Sequence, residues 1–190
     1  MTLAHPGFAD PVTDSQAAFR CVLDAMARPG RIHAVTAPAG PPPPLSRAAA
    51  AVLLTLVDAE TPLFLDEAAE SARDWVLFHC GAPLVAAEAA DFALALRPLA
   101  LDTLQAGSDE APELGATLVL QVEALGEGAA LRLSGPGLAT PAGLRVRGLP
   151  PGFAAEWAAN RARFPRGVDV ILCAGDQLAA LPRSVRIKEV

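Results

Sequence analysis

The chain has 190 residues, an apolar fraction of 52%, a mean hydropathy of +0.34 and a net charge of −6 with a pI near 5.0. This length suits one domain, residues 1–190, with a well-buried core, and it is short for two. The composition excludes a disordered chain, and the acidic balance argues against nucleic acid, which calls for a basic face.

The first helix is expected from an N-cap at Asp14 to about Arg28, with Phe19, Val22, Leu23 and Met26 on one face and Pro29-Gly30 as the stop. Arg31 to Thr36 alternates and reads as a strand, and Ala37 to Pro44 (APAGPPPP) reads as a stiff surface connector. Ser46 then caps an almost wholly apolar helix through Val57, which belongs between layers. That apolar run is about half the roughly 20 residues a membrane-spanning helix needs. With no signal-like N-terminus either, a soluble cytoplasmic protein is expected.

A short strand is predicted at Leu63 to Leu65, then a helix from about Glu67 to Cys80 with Trp75, Val76 and His79 inward. Short strands follow at Leu84 to Ala87 and Phe92 to Leu96, with a helical turn near Leu99 to Leu104 and a loop from Ala106 to Glu113. Thr117 to Ala124 and Ala129 to Ser134 are strong strands, and Gly126-Glu127-Gly128 joins them at hairpin spacing. Leu144 to Gly148 reads as an edge strand and Pro151 to Ala162 as a helix with proline near its start. Val168 to Cys173 is apolar on both faces, as expected of a strand in a sheet covered on both sides. Val185 to Lys188 supplies a last edge strand. Hairpins mixed with helix-separated strands imply an α/β fold, a three-layer α/β/α sandwich around a mixed sheet.

Chemistry is not legible from motifs. The 15 basic residues include a single lysine, Lys188, so no interior lysine exists for a Schiff base or a phosphate-binding GxxxxGK loop. Any bound anion must be held by arginines and backbone N–H groups. Cys21, Cys80 and Cys173 are far apart and read as free thiols in a reducing compartment. No paired-Cys site, HExxH or GxSxG pattern occurs, so neither metal nor cofactor is expected. Ser134-Gly-Pro-Gly137 reads as a tight turn, or as a weak nest for a phosphate-like oxygen. His79 is either a satisfied core histidine or an acid/base group at a helix end. Asp169 is an acid inside a buried strand; Arg20 and Arg183 are each able to grip an anion or to pair with Asp58 or Asp169; Glu113 enters the longest strand.

Several blocks in order resemble one family. They are FRCVLDAMARPG from Phe19, LLTLVDAETPLFL from Leu53, FHCGAPLV from Phe78, APELGATLVLQV from Ala111, LRLSGPG from Leu131, and FPRGVDVILCAGDQLAALPR from Phe164. Together they are similar to the PhnH family, the H subunits of the bacterial carbon–phosphorus lyase core complex. The resemblance implies a role in organophosphonate breakdown, where the G, H, I and L subunits make ribose 1-phosphonate 5-triphosphate from a nucleoside triphosphate. It further implies a homodimer assembled with G, I and J subunits, and a reduced pyridoxal-phosphate-dependent transferase fold without the cofactor. The resemblance assigns no catalytic residue; Arg20, His79, Glu113, Asp169 and Arg183 match its blocks as candidates for a pocket or an interface. Two functions follow: a subunit with a structural or assembly role, and a small α/β enzyme or binding subunit whose anion pocket is built from Arg20, His79 and Arg183.

Overall fold

The computed structural model describes residues 5–190. Its centre is a six-stranded mixed sheet in the order β1-β8-β7-β4-β3-β2. Strands β2 (Leu63–Leu65), β3 (Phe92–Ala95), β4 (Thr117–Gln121) and β7 (Asp169–Ala174) run parallel; β8 (Gln177–Leu181) returns antiparallel beside β7, and β1 (His33–Ala34) closes the edge against β8. A second sheet of three antiparallel strands has the order β6-β5-β9, with β5 at Ala124–Ser134, β6 at Ala142–Arg147 and β9 at Arg186–Glu189.

Alternation along the strands sorts the apolar side chains into two cores. Ile171, Cys173, Val119, Leu94 and Leu178 point to the face covered by helices α1 (Pro11–Ala27), α2 (Arg47–Leu56) and α3 (Arg73–Cys80). Val170, Leu172, Leu118, Leu120 and Leu181 point to the other face, where they meet helix α4 (Phe153–Ala162) and the inner side of the small sheet, Leu131, Leu133, Leu144 and Val146. The second outer layer is therefore part sheet and part helix, where a layer of helices alone was expected.

Local signals explain most elements. Ser46 caps α2 by accepting from the Ala49 N–H, and the run Ala48 to Leu53 is fully buried between α1, α3 and the sheet. Strand β7 sends Ile171 and Cys173 into one core and Val170 and Leu172 into the other, so its two-sided apolarity has the expected cause.

Five expectations need correction. The cap of α1 is Asp10, not Asp14: Asp10 accepts from the Val12 and Thr13 N–H groups, and Asp14 reaches back to accept from the Asp10 N–H. The buried stripe of α1 is Ala18, Val22 and Ala25, which leaves Phe19 and Leu23 exposed because alanine permits the closer approach to α2. The helix expected from Glu67 begins as a 3₁₀ segment, Glu67–Ala72, before α3, and the strand expected at Leu84 is one bridge to Leu63. Last, β4 and β5 are not a hairpin. They lie in different sheets, and the Gly126 and Gly128 positions, both at φ near +90°, form a bulge inside β5. A side chain at Gly128 would meet the Val146 carbonyl at 2.5 Å, so the bulge lets β6 lie close.

Candidate functional site

The β7–β8 hairpin pairs Val170 with Leu181, which brings Asp169 at the start of β7 beside Arg183, just past the end of β8. The two side chains are 15% and 13% exposed and form a two-pronged pair. Arg183 donates from Nη2 (2.6 Å) and Nε (3.1 Å) to Asp169 Oδ2, and its backbone N–H donates to Oδ1 (2.6 Å). The same guanidinium donates to the carbonyls of Pro112 (2.6 Å) and Gly115 (3.3 Å), so it clamps the loop carrying Glu113 onto the sheet. Gly115 sits where a Cβ would collide with the Gly167 carbonyl and lie 2.5 Å from Arg183 Nη1. Glu113 itself is exposed. This group of Asp169, Arg183 and the Glu113 loop is a structural clamp: its donors are already engaged by carbonyls and by the carboxylate.

Arg20 is exposed on α1 beside Phe19, and His79 lies on the helix-covered side near the end of α3. His79 Nε2 is 3.3 Å from the His5 carbonyl, which also accepts from Trp75 Nε1 (3.0 Å). The His79 ring packs against Trp75 and edge-on to Phe78, and Gly7 passes so close that a Cβ there would lie 3.0 Å from His79 Nδ1. The histidine thus holds the segment before α1 against α3. Arg20, His79 and Arg183 stand on three separate parts of the fold, and among the described residues no hydrogen bond joins any of them to another.

One buried acid escaped the sequence reading. Asp66, 8% exposed, follows β2 and accepts from the N–H groups of Ala69, Leu96 and Arg97, fastening the chain leaving β2 to the chain leaving β3. Its signal was an acid directly after a strand and before an alanine-rich turn. Asn160 is the other buried polar residue; it closes a pair of hydrogen bonds with the Val168 N–H and carbonyl. A cleft of about 520 Å³ lies beside Asp66, Glu67 and Arg97. One of about 350 Å³ lies between α4 and Leu101, where Glu156 accepts the Leu101 N–H, and another of about 430 Å³ lies beside Arg28, Arg31 and Thr140. The Ser134–Gly137 stretch is a turn closed by the Leu138 N–H on the Gly135 carbonyl.

Among the described residues no group of three or more His, Cys, Asp or Glu is placed to hold a metal ion. Burial, with the nearby Asp58 charge second, raises the Cys80 thiol to about 11, and burial alone raises Cys173 further. Both are held as thiols, while Cys21 is part-exposed on α1. A native protein treated with a thiol reagent at neutral pH is expected to lose one thiol quickly, with the other two reacting only on unfolding. Rapid reaction of all three in the folded protein would contradict this arrangement.

Comparison with known proteins agrees with the blocks in the sequence. Residues 6–188 match the family described as bacterial phosphonate metabolism protein, PhnH. The alpha-D-ribose 1-methylphosphonate 5-triphosphate synthase subunit PhnH of Rhizobium meliloti (strain 1021) is 41% identical over 95% of this chain and 94% of its own length. A protein provisionally assigned as a C-P lyase subunit, HtxG of Stutzerimonas stutzeri, is 39% identical over 90% of this chain and 85% of its own. The chain belongs to the PhnH family of bacterial phosphonate metabolism proteins.

Proposed function

We propose that the chain is a subunit of the carbon–phosphorus lyase assembly, needed to form alpha-D-ribose 1-methylphosphonate 5-triphosphate, and that it supplies binding surface to that assembly rather than the reacting groups. The observation that carries this reading is the near-full-length match to a relative named as a subunit of that synthase. Two features of the structure support it. The buried polar side chains, and the part-buried Asp169, are spent on the fold: Asp66 on three backbone N–H groups, Asn160 on Val168, Asp169 on Arg183. Meanwhile apolar side chains that a lone subunit has no use for stand in solvent. Val12, Phe19 and Leu23 form one stripe along α1, with Leu77 and Phe78 on α3.

The reading includes a cytoplasmic homodimer that meets the G, I and J subunits, with Arg20 beside the α1 stripe as part of the contact surface. It also includes a likeness to pyridoxal-phosphate-dependent transferases in reduced form; the lone lysine, Lys188, is exposed on strand β9. A strain lacking this subunit, given methylphosphonate as its phosphorus source, tests the reading. Wild type and the His79→Ala and Arg20→Ala variants are expected to restore growth, whereas a Phe19→Asp, Leu23→Asp double variant is expected to fail and to drop out of the purified assembly. Loss of growth on His79→Ala with the assembly intact would move the role towards chemistry.

A further inference from the structure

The outer face of the small sheet carries an unexpected charge. In antiparallel pairing, residues directly opposite each other share a face. Arg132 on β5 is opposite Lys188 on β9, Ser134 is opposite Arg186, and Ala130 is opposite Arg145 on β6. Leu131, Leu133, Leu144 and Val146 alternate with them and are buried, so Arg132, Arg145, Arg186 and Lys188 all project from the solvent side. All four are exposed, and none makes an ion pair among the described residues. The next cation, Arg147, is by contrast neutralised by Glu123 and Glu127. Glu189 opposes Leu131 and so belongs to the other side of the strand. A chain of net charge −6 with only 15 basic residues thus places four of them on the outer face of one small sheet, none of them in an ion pair among the described residues.

This arrangement works against the fold. Like charges directly across a strand pair repel, and the diagonal neighbours Arg145 and Arg186 stand only about 7–8 Å away. The gain must come from something outside the chain that is negative. The surface also indicates what kind of anion fits. Sites for free phosphate groups present backbone N–H groups at a helix end or a nest. Here the N–H groups of β5 lie in the plane of the sheet and are taken by β6 and β9, so none points out of the face. The floor between Arg132 and Arg145 is an open cleft of about 380 Å³ whose lining includes the small residues Ala130, Ala142 and Gly143, along with Pro141 and Val190. A flat face with spread, long-armed cations fits another flat face bearing carboxylates.

We propose that this sheet face docks an acidic surface of a neighbouring subunit in the assembly, steering and registering the contact by charge. The proposal rests on the subunit reading above, and names the chemistry of the partner. It is tested by reconstituting the full chain with the G, I and J subunits from its own host and measuring association at roughly 0.05 and roughly 0.5 M salt. Association is expected to weaken with salt, and an Arg132→Glu, Arg145→Glu double variant is expected to bind about tenfold or more weakly at low salt. A control with the same change of charge elsewhere, Arg73→Glu with Arg97→Glu, is expected to bind as wild type; both arginines are exposed and pair only with surface glutamates. The melting temperature of Arg132→Glu is expected to stay level or rise slightly, since the change creates an opposite-charge pair with Lys188, so a weaker contact is not misfolding. Salt-independent assembly with unimpaired double variant overturns the proposal while leaving the subunit reading intact; no assembly by wild type under any salt overturns the subunit reading itself. Calorimetry with inorganic tripolyphosphate supplies the remaining arm. Tight binding by wild type that the double variant loses, with assembly unchanged, assigns the face to a small anion and overturns the docking surface.

Discussion

Replacing Asp169 by alanine is expected to destabilise the protein by about 3–5 kcal/mol, because it leaves the Arg183 guanidinium largely enclosed with no counter-charge. The pair is only 13% and 15% exposed, so water screens it far less than a surface pair. Removing the carboxylate also takes the partner from the Arg183 backbone N–H. For a chain of this size the change corresponds to a drop of roughly 6–20 °C in melting temperature, against a typical total stability of about 5–15 kcal/mol. Asp169→Asn should lie between wild type and alanine, since it keeps a hydrogen-bond acceptor and loses the charge. Arg183→Ala is expected to match Asp169→Ala or exceed it, because the Pro112 and Gly115 carbonyls lose their donor too. The double variant should cost much less than the sum, as partners in one network do. Urea unfolding read by fluorescence measures all four. A loss for Asp169→Ala of no more than about 1 kcal/mol, the range of exposed pairs, would show that the clamp is open to water and holds nothing.

That clamp illustrates how far a sequence can be read locally. Asp169 and Arg183 are fourteen residues apart, and a tight turn at Gly175-Asp176 between two apolar runs sets their meeting; what the sequence leaves open is which arginine, Arg20 or Arg183, takes the carboxylate. The same holds for α2, where Ser46 and the alanine run state both the start and the burial, and for β2 and β3, whose bounds follow from prolines and polar breaks. Failures came where the deciding contact is distant in sequence. Nothing near Thr117 says that β4 pairs in parallel with β3 and β7, and parallel pairing leaves no local turn to read. Gly126-Glu127-Gly128 has hairpin spacing, yet the glycines serve close approach of β6 within a bulge. On α1 the larger apolar residues were taken for the inner face, although close helix packing prefers alanine there and leaves Phe19 and Leu23 outside. Phe19 and Leu23, expected inside and found exposed, are the residues that the proposed assembly would cover.

The basic sheet depends on the core beneath it, and Trp157 is where that dependence concentrates. Trp157→Ala is expected to destabilise the protein by about 3–5 kcal/mol. The indole is 1% exposed on α4, lies 6.0 Å from the Phe153 ring in a stacked arrangement, and fills the second core under Leu131, Leu133, Leu144 and Val146. Its Nε1–H donates to the Val185 carbonyl at 2.8 Å, immediately before β9. Truncation therefore opens a cavity and removes the tether of the strand that carries Arg186 and Lys188. Trp157→Phe separates the two contributions: it keeps most of the volume and strands the Val185 carbonyl, for an expected loss of about 1–3 kcal/mol. Because the strand and its charges move together, amide exchange in β9 should rise more than in β7 for the phenylalanine variant, whose global stability falls less than that of the alanine variant. Assembly in low salt should weaken in step with that local opening. Equal protection changes in β7 and β9 would instead mean that α4 and both sheets unfold as one unit, and that Trp157 serves the whole core without a particular hold on the docking face.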